Sequence, residues 1–199
     1  MLTSLGLSRS FGFGDRLGLA TPGHIAAVRG TKFAPIFAQQ SVRENARTGR
    51  APQQVMDDAR RAVDAAQWDG PWGADADHLK TVNDVPPFVE AGYTFFTVDP
   101  GEYVDNSADT DSLGMLRQKI KSFNWEELSG LYLHEDAKPG WGRFDGESLM
   151  RAVVKYGKAI QHAAAMFNCI SQLKDEFDFE MSVDESDSPT TPLEHFFIA

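Results

Sequence analysis

Tyr93-Thr94-Phe95-Phe96-Thr97-Val98-Asp99-Pro100 is β-branched or aromatic as far as Val98, apolar on both faces, and stopped by Asp-Pro-Gly. A strand with one wet face alternates polar and apolar side chains, whereas one that is apolar on both faces belongs in a parallel sheet covered on both sides by helices. This run therefore predicts an α/β protein, and it brings Asp99 out at the C-terminal end of a strand. Just upstream, Trp72-Gly73-Ala74-Asp75-Ala76-Asp77-His78-Leu79-Lys80 packs two carboxylates, an imidazole and an ammonium into six residues. Strand alternation puts Asp75 and Asp77 on one face with Leu79, and His78 and Lys80 on the other. If the strand ends near Asp77, His78 turns with the exiting loop and joins the carboxylates at one mouth. The bland alternative is a strand end with solvated charges, since so short a motif is weakly specific.

Other stretches repeat the pattern. Strands are expected near residues 12 to 19, 33 to 38, 72 to 77, 93 to 98 and 178 to 183. A helix capped by Thr21 with Pro22 at its first position follows the first strand, and His24 lies in its first turn. The second strand ends in Gln39, Gln40 and Ser41, followed by Arg43, all donors suited to hydroxyls or a carboxylate. An amphipathic helix over 52 to 67 buries Val55, Met56, Ala59, Val63 and Ala66. A further helix closes on Gly92, another covers 113 to 123, and a long Ala-rich one runs from Gly146 to Lys174. Residues 101 to 146 read as an irregular folded insertion. A last helix opens at Thr191-Pro192, and the chain stops within it on an apolar run, which suggests truncation.

Strand-helix units with polar residues at strand ends point to a catalytic rim at the C-terminal side of a parallel sheet. Five such units would be the N-terminal part of a single TIM-like (β/α)8 barrel domain spanning residues 1 to 199. An open doubly wound sheet is the runner-up, but no Gly-rich phosphate loop follows the first strand.

Composition narrows the partners. The net charge is -10 over 199 residues, with 42% hydrophobic residues, enough for a core. A chain this acidic is unsuited to nucleic acid or an anionic membrane, both of which reward clustered Lys and Arg. Cys169 is the only cysteine, so no intramolecular disulfide forms, and a reducing, cytoplasmic location is the simplest expectation.

Five separated runs support a resemblance: Ser10 to His24, Phe37 to Glu44, Trp72 to Lys80, Tyr93 to Pro100 and Ser182 to Pro192. Together they resemble the N-terminal half of the tagaturonate/fructuronate epimerase family. The resemblance implies a divalent-metal-dependent isomerase that interconverts D-tagaturonate and D-fructuronate in galacturonate breakdown. It suggests Asp77 as proton acceptor, His78 as a metal ligand and Glu185 as proton donor, with further histidine ligands beyond residue 199. Asp75, Asp184 and Asp187 are neighbours with the same chemistry. Gln39, Gln40, Arg43, Lys80 and Asp99 are candidates to contact the keto-uronate, and its carboxylate could be held by Arg16, Arg43, Arg47 or Arg50.

The inverted carbinol carbon is one bond too far from the ketone for its hydrogen to be acidified, which favours a retro-aldol route assisted by a base and a metal. Two other readings stay open: a metal-dependent aldolase using the same residues, and an inactive piece that only binds sugar acid. A half barrel would also expose unpaired strand edges and an apolar face, so self-association into a homo-oligomer is expected.

Overall fold

The computed structural model describes residues 1–134, 140–183 and 186–199. Five strands, β1 (Ser10–Gly14), β2 (Ala34–Ser41), β3 (Gly73–Leu79), β4 (Phe95–Val98) and β5 (Asp178–Met181), form one sheet in the order β1-β2-β3-β4-β5. Every neighbouring pair is parallel. The α/β class and the parallel sheet expected from Tyr93 to Pro100 are therefore observed. The order runs straight through the sequence, without the reversal at which a doubly wound sheet opens its binding crevice.

Helices intervene as parallel pairing requires. They are α1 (Thr21–Val28), α2 (Val42–Thr48), α3 (Pro52–Ala65), α4 (Val85–Ala91), α5 (Leu113–Lys119), α6 (Trp125–Tyr132), α7 (Gly146–Leu173) and α8 (Pro192–Ile198). None of them is long and apolar enough to cross a membrane among the described residues.

The chain divides into two compact units, one of Met1–Asp99 with Ala165–Ser182, the other of Pro100–Ala164 with Val183–Ala199. The first unit holds the sheet. Its core joins Phe37, Ala74, Ala76, Leu79, Phe96 and Val98 from the strands to Val55, Met56, Ala59 and Val63 of α3 and to Val85 and Phe88 of α4. The helical spacing read for this segment is thus its buried stripe from Val55 to Val63, whereas Ala66 is the half-buried C-cap rather than part of the helix. Emptying one such site, as in Phe96→Ala, costs about 3–5 kcal/mol, because Phe96 is fully buried. The second unit is helical and has its own core around Leu116, Phe144, Leu149, Val153, Tyr156 and Phe197. Residues 101 to 146, expected as an irregular insertion, contain α5, α6 and short 3-10 turns.

Two local expectations fail for one reason. The first strand was expected to run to residue 19, and Thr21 to cap the next helix. Instead β1 ends at Gly14 and Ala20 is the N-cap. The cause is Asp15. Its Oδ1 accepts from the backbone N–H groups of Leu17, Gly18 and Leu19 at 2.8–3.3 Å, and its Oδ2 from those of Ala20 and Thr21 and from the Thr21 hydroxyl at 2.9–3.0 Å. The carboxylate takes amides that would have extended the strand and closes the start of α1 from six residues upstream. At the other end the expected cap forms: Thr191 Oγ1 accepts from the Glu194 N–H, and Glu194 Oε2 accepts from the Thr191 N–H.

Candidate active site

The register shifts toward the C-terminal side of each of the first three strand pairs, and the extra residue lies in β2, between Phe37 and Gln40, and in β3, between Ala76 and Leu79. Ala38 and His78 take left-handed backbone conformations there, with φ of 59° and 52°. A non-glycine residue in that region carries about 1–3 kcal/mol of strain, and such strain gathers where side chains must be aimed. The bulge at His78 corrects the expectation that β3 ends near Asp77. The strand continues to Leu79, and it is the bulge, not the strand's end, that brings His78 beside the carboxylates.

His78 Nε2 lies 3.6 Å from Asp77 Oδ1, and its Nδ1 lies 3.7 Å from Asp99 Oδ2. Lys80 Nζ is 3.4 Å from the same Asp99 oxygen. Four of the expected site residues thus form one cluster at the ends of β3 and β4. A cavity of about 210 Å³ opens beside it, lined by Gln39, Gln40, Arg43, Asp77 and His78 of the expected set, and also by Gly14, Arg16, Ser41 and Glu44. Lys80 and Asp99 are not on its wall; Asp99 faces His78, which is, and Lys80 pairs with Asp99. Glu185 and Asp184 lie outside the described residues. Asp187 is in the second unit, where its N–H donates to Asn106 Oδ1. Arg50 is committed elsewhere, donating to the Asp15 carbonyl oxygen and to Asp58.

A polar row lies in the sheet beneath. Asp75 is 1% exposed. Its Oδ1 accepts from Thr97 Oγ1 of β4 at 3.1 Å, and its Oδ2 from Gln39 Nε2 of β2 at 3.1 Å. Gln39 Oε1 in turn fills the space at Gly12 of β1, where a Cβ would come within 2.8 Å of it. A side chain at Gly12 would make the Gln39 amide shift away from this position. Burial, with the neighbouring Asp77 carboxylate next in weight, pushes the Asp75 carboxyl up to about 8. Asp75 therefore holds its proton at neutral pH, and the adjacent site carries one carboxylate charge fewer than its sequence suggests. Gln40 is 3% exposed, and its Nε2 finds no partner among the described residues.

The sequence model of tagaturonate epimerase (UxaE) matches residues 3–199. The chain belongs to the tagaturonate epimerase family. A curated member, the tagaturonate/fructuronate epimerase of Thermotoga maritima, is 40% identical over 201 residues, covering 97% of this chain and 40% of that protein. Two solved structures of the fructuronate-tagaturonate epimerase UxaE of Cohnella laeviribosi, one native and one with a single glycerol, superpose with a TM-score of 0.91 at 36% identity. They cover 100% of this chain and 42% of theirs. The chain thus spans about two fifths of the length of the family members it matches.

Three residues of this region, Asp15, Glu44 and Thr97, are not among those the sequence pattern singles out. Asp15 was visible as an Asp followed by Gly18 and Thr21, the composition of a side-chain-to-backbone turn. Glu44 and Thr97 carried no signal, because their roles depend on neighbours distant in sequence.

Proposed function

We propose that this chain carries the N-terminal part of an epimerase that interconverts D-tagaturonate and D-fructuronate in galacturonate breakdown. The observation behind this reading is the Asp77–His78–Asp99–Lys80 cluster at the C-terminal strand ends, in a chain of this family. The straight parallel order of the five strands is what the first five units of a (β/α)8 barrel would have, and we assign the chain to such a barrel. A cytoplasmic location and a homo-oligomeric state accompany this reading.

The donor chemistry at His78 fits a divalent cation. Its two ring nitrogens face different carboxylates, so one can be held by an acid while the other binds metal, the arrangement that fixes a liganding imidazole. No group of three or more candidate ligands occurs among the described residues, and the remaining ligands would come from elsewhere in the protein. A bound cation would supply Lewis acidity to the substrate's carbonyl oxygen.

The chain's own groups account for the rest. Asp77 takes the proton of the hydroxyl on the carbon to be inverted. The O–H electron pair becomes the new carbonyl, and the adjacent carbon-carbon bond breaks to leave a three-carbon enediolate and a three-carbon aldehyde acid. The aldehyde rotates, the enediolate carbon attacks its other face, and the new alkoxide takes its proton from Glu185, after which proton exchange with solvent resets Asp77 and Glu185. Gln39, Gln40 and Arg43 line the cavity where the substrate lies, Asp99 holds His78, and Lys80 pairs with Asp99.

Conversion of tagaturonate to fructuronate with added divalent cation tests the reading, in this chain and in one carried to its relatives' length. Conversion in either supports it, and no conversion in both refutes it. Trapping the three-carbon aldehyde would support the bond-breaking route, whereas rapid exchange of the inverted carbon's hydrogen with solvent would refute it. Accumulation of free three-carbon products instead of the epimer would identify an aldolase.

A further inference from the structure

Three guanidinium groups converge on one carboxylate at the lip of the cavity. Arg16 Nε lies 3.0 Å from Glu44, Arg47 Nη1 3.0 Å and Arg43 Nε 3.9 Å. One cation would balance Glu44, so the cluster keeps two positive charges in surplus, in a chain whose net charge is -10. The Glu44 side chain is 13% exposed, while those of the three arginines are 65–67% exposed. The acid is thus the fixed hub, and the guanidinium groups remain open to a ligand. Arg16 and Arg43 line the cavity with Asp77 and His78, and Arg47 does not.

The loop that presents Arg16 is unusually constrained. Asp15 accepts six hydrogen bonds from residues 17 to 21, and Arg50 braces the Asp15 carbonyl oxygen at 3.1 Å. A mobile loop would suffice for a solvated surface arginine. A fixed backbone lowers the ordering cost of holding a guanidinium where an anion must arrive. Each guanidinium has five N–H donors in a planar fork, so engaging Glu44 through Nε leaves donors that match a second carboxylate.

We infer that Arg16 and Arg43, drawn together by Glu44, form the subsite for the substrate's carboxylate. Asp15 and Glu44 are positioning residues, since both act through Arg16. The inference rests on the keto-uronate reading above and orients that substrate: carboxylate at the exits of β1 and β2, reacting carbons toward Asp77 and His78.

The test is calorimetric binding of two ligands, D-tagaturonate and the neutral ketohexose D-tagatose, which carries CH2OH in place of the carboxylate. The proteins compared are the unmodified chain, Arg16→Gln, Arg43→Gln and the double variant. Each single variant should weaken uronate binding by about tenfold or more while changing ketohexose binding less than about twofold, as expected for loss of a charge-assisted contact. Arg16→Lys should recover part of the loss, because charge returns without the fork. Parallel losses for both ligands would overturn the subsite by showing a structural role. So would a double variant that still prefers the uronate. Failure of the unmodified protein to bind uronate both as this chain and at its relatives' length would instead refute the functional reading on which the subsite rests.

Discussion

Each unit buries a charge-bearing side chain, and the two treat it oppositely. In the helical unit Lys155 is 0% exposed, and its Nζ donates to both oxygens of Asp109 at 2.9 and 3.1 Å and to Ser188 Oγ at 2.8 Å, with Glu194 at 3.4 Å. Burial works against the ammonium, but Asp109 and Glu194 outweigh it and raise its hold on the proton. In the sheet unit Asp75 is as deeply buried, yet its hydrogen-bond partners, Gln39 and Thr97, are uncharged, and the charged groups that act on it, Asp77 and Glu180, share its sign. A compensated buried charge holds structure together. A buried acid left uncompensated keeps its proton instead, and beside a cavity such a group is a candidate for chemistry.

Breaking the compensated site should cost most. Lys155→Met strands Asp109 and Glu194, and we expect a loss of about 3 kcal/mol, the low end for a broken buried pair because the Asp109 side chain is 30% exposed. Denaturant unfolding followed by Trp fluorescence measures it, and a loss below about 1 kcal/mol would remove the contrast between the units. Asp15 is the sheet unit's own compensated charge. Burial opposes its ionisation, but the N–H groups of Thr21, Ala20 and Leu19 hold its carboxyl below the ordinary 3.8. Asp15→Ala should cost about 2–3 kcal/mol at neutral pH. Because the folded-state value is depressed, that stability is present above pH 4 and is lost as pH falls through the folded value. The variant should therefore show a shallower acid limb in its unfolding midpoint.

Asp75 sharpens the contrast through the opposite sign. Its carboxyl is raised to about 8 in the folded protein against an ordinary 3.8, so the folded state keeps a proton that the unfolded chain has released. Stability then falls as pH rises between those values, by about 1 kcal/mol from pH 7 to pH 8. Asp75→Asn has no proton to lose, and its pH dependence over that interval should be flat. A slope equal to that of the unmodified protein would show that Asp75 is ionised after all. Arg47, exposed and off the cavity wall, gives the smallest effect: Arg47→Gln should move stability by under about 0.5 kcal/mol and leave uronate affinity within twofold.

The fold was legible where a single element carried its own evidence. Tyr93 to Val98 announced a parallel sheet because burial on both faces leaves an unbroken apolar run, and Val55 to Val63 announced a helix because its stripe repeats every three to four residues. The candidate site was legible as composition at strand ends: Gln39, Gln40, Asp77, His78 and Asp99, expected from sequence, lie near one another. What was not legible depended on pairs distant in the chain. Strand alternation cannot foresee a bulge at His78, because the bulge is defined against a neighbouring strand. The choice among four arginines likewise turned on Glu44 and Asp58, which collect guanidinium groups from separate elements.

The most direct test is turnover of tagaturonate by Asp77→Asn, in whichever chain length converts the substrate, with circular dichroism to confirm folding. If Asp77 is the base beside the uncompensated row, conversion falls about a hundred- to ten-thousand-fold with the unfolding midpoint little changed. A folded variant that keeps more than about a tenth of the unmodified rate would contradict the placement of the chemistry at the end of β3.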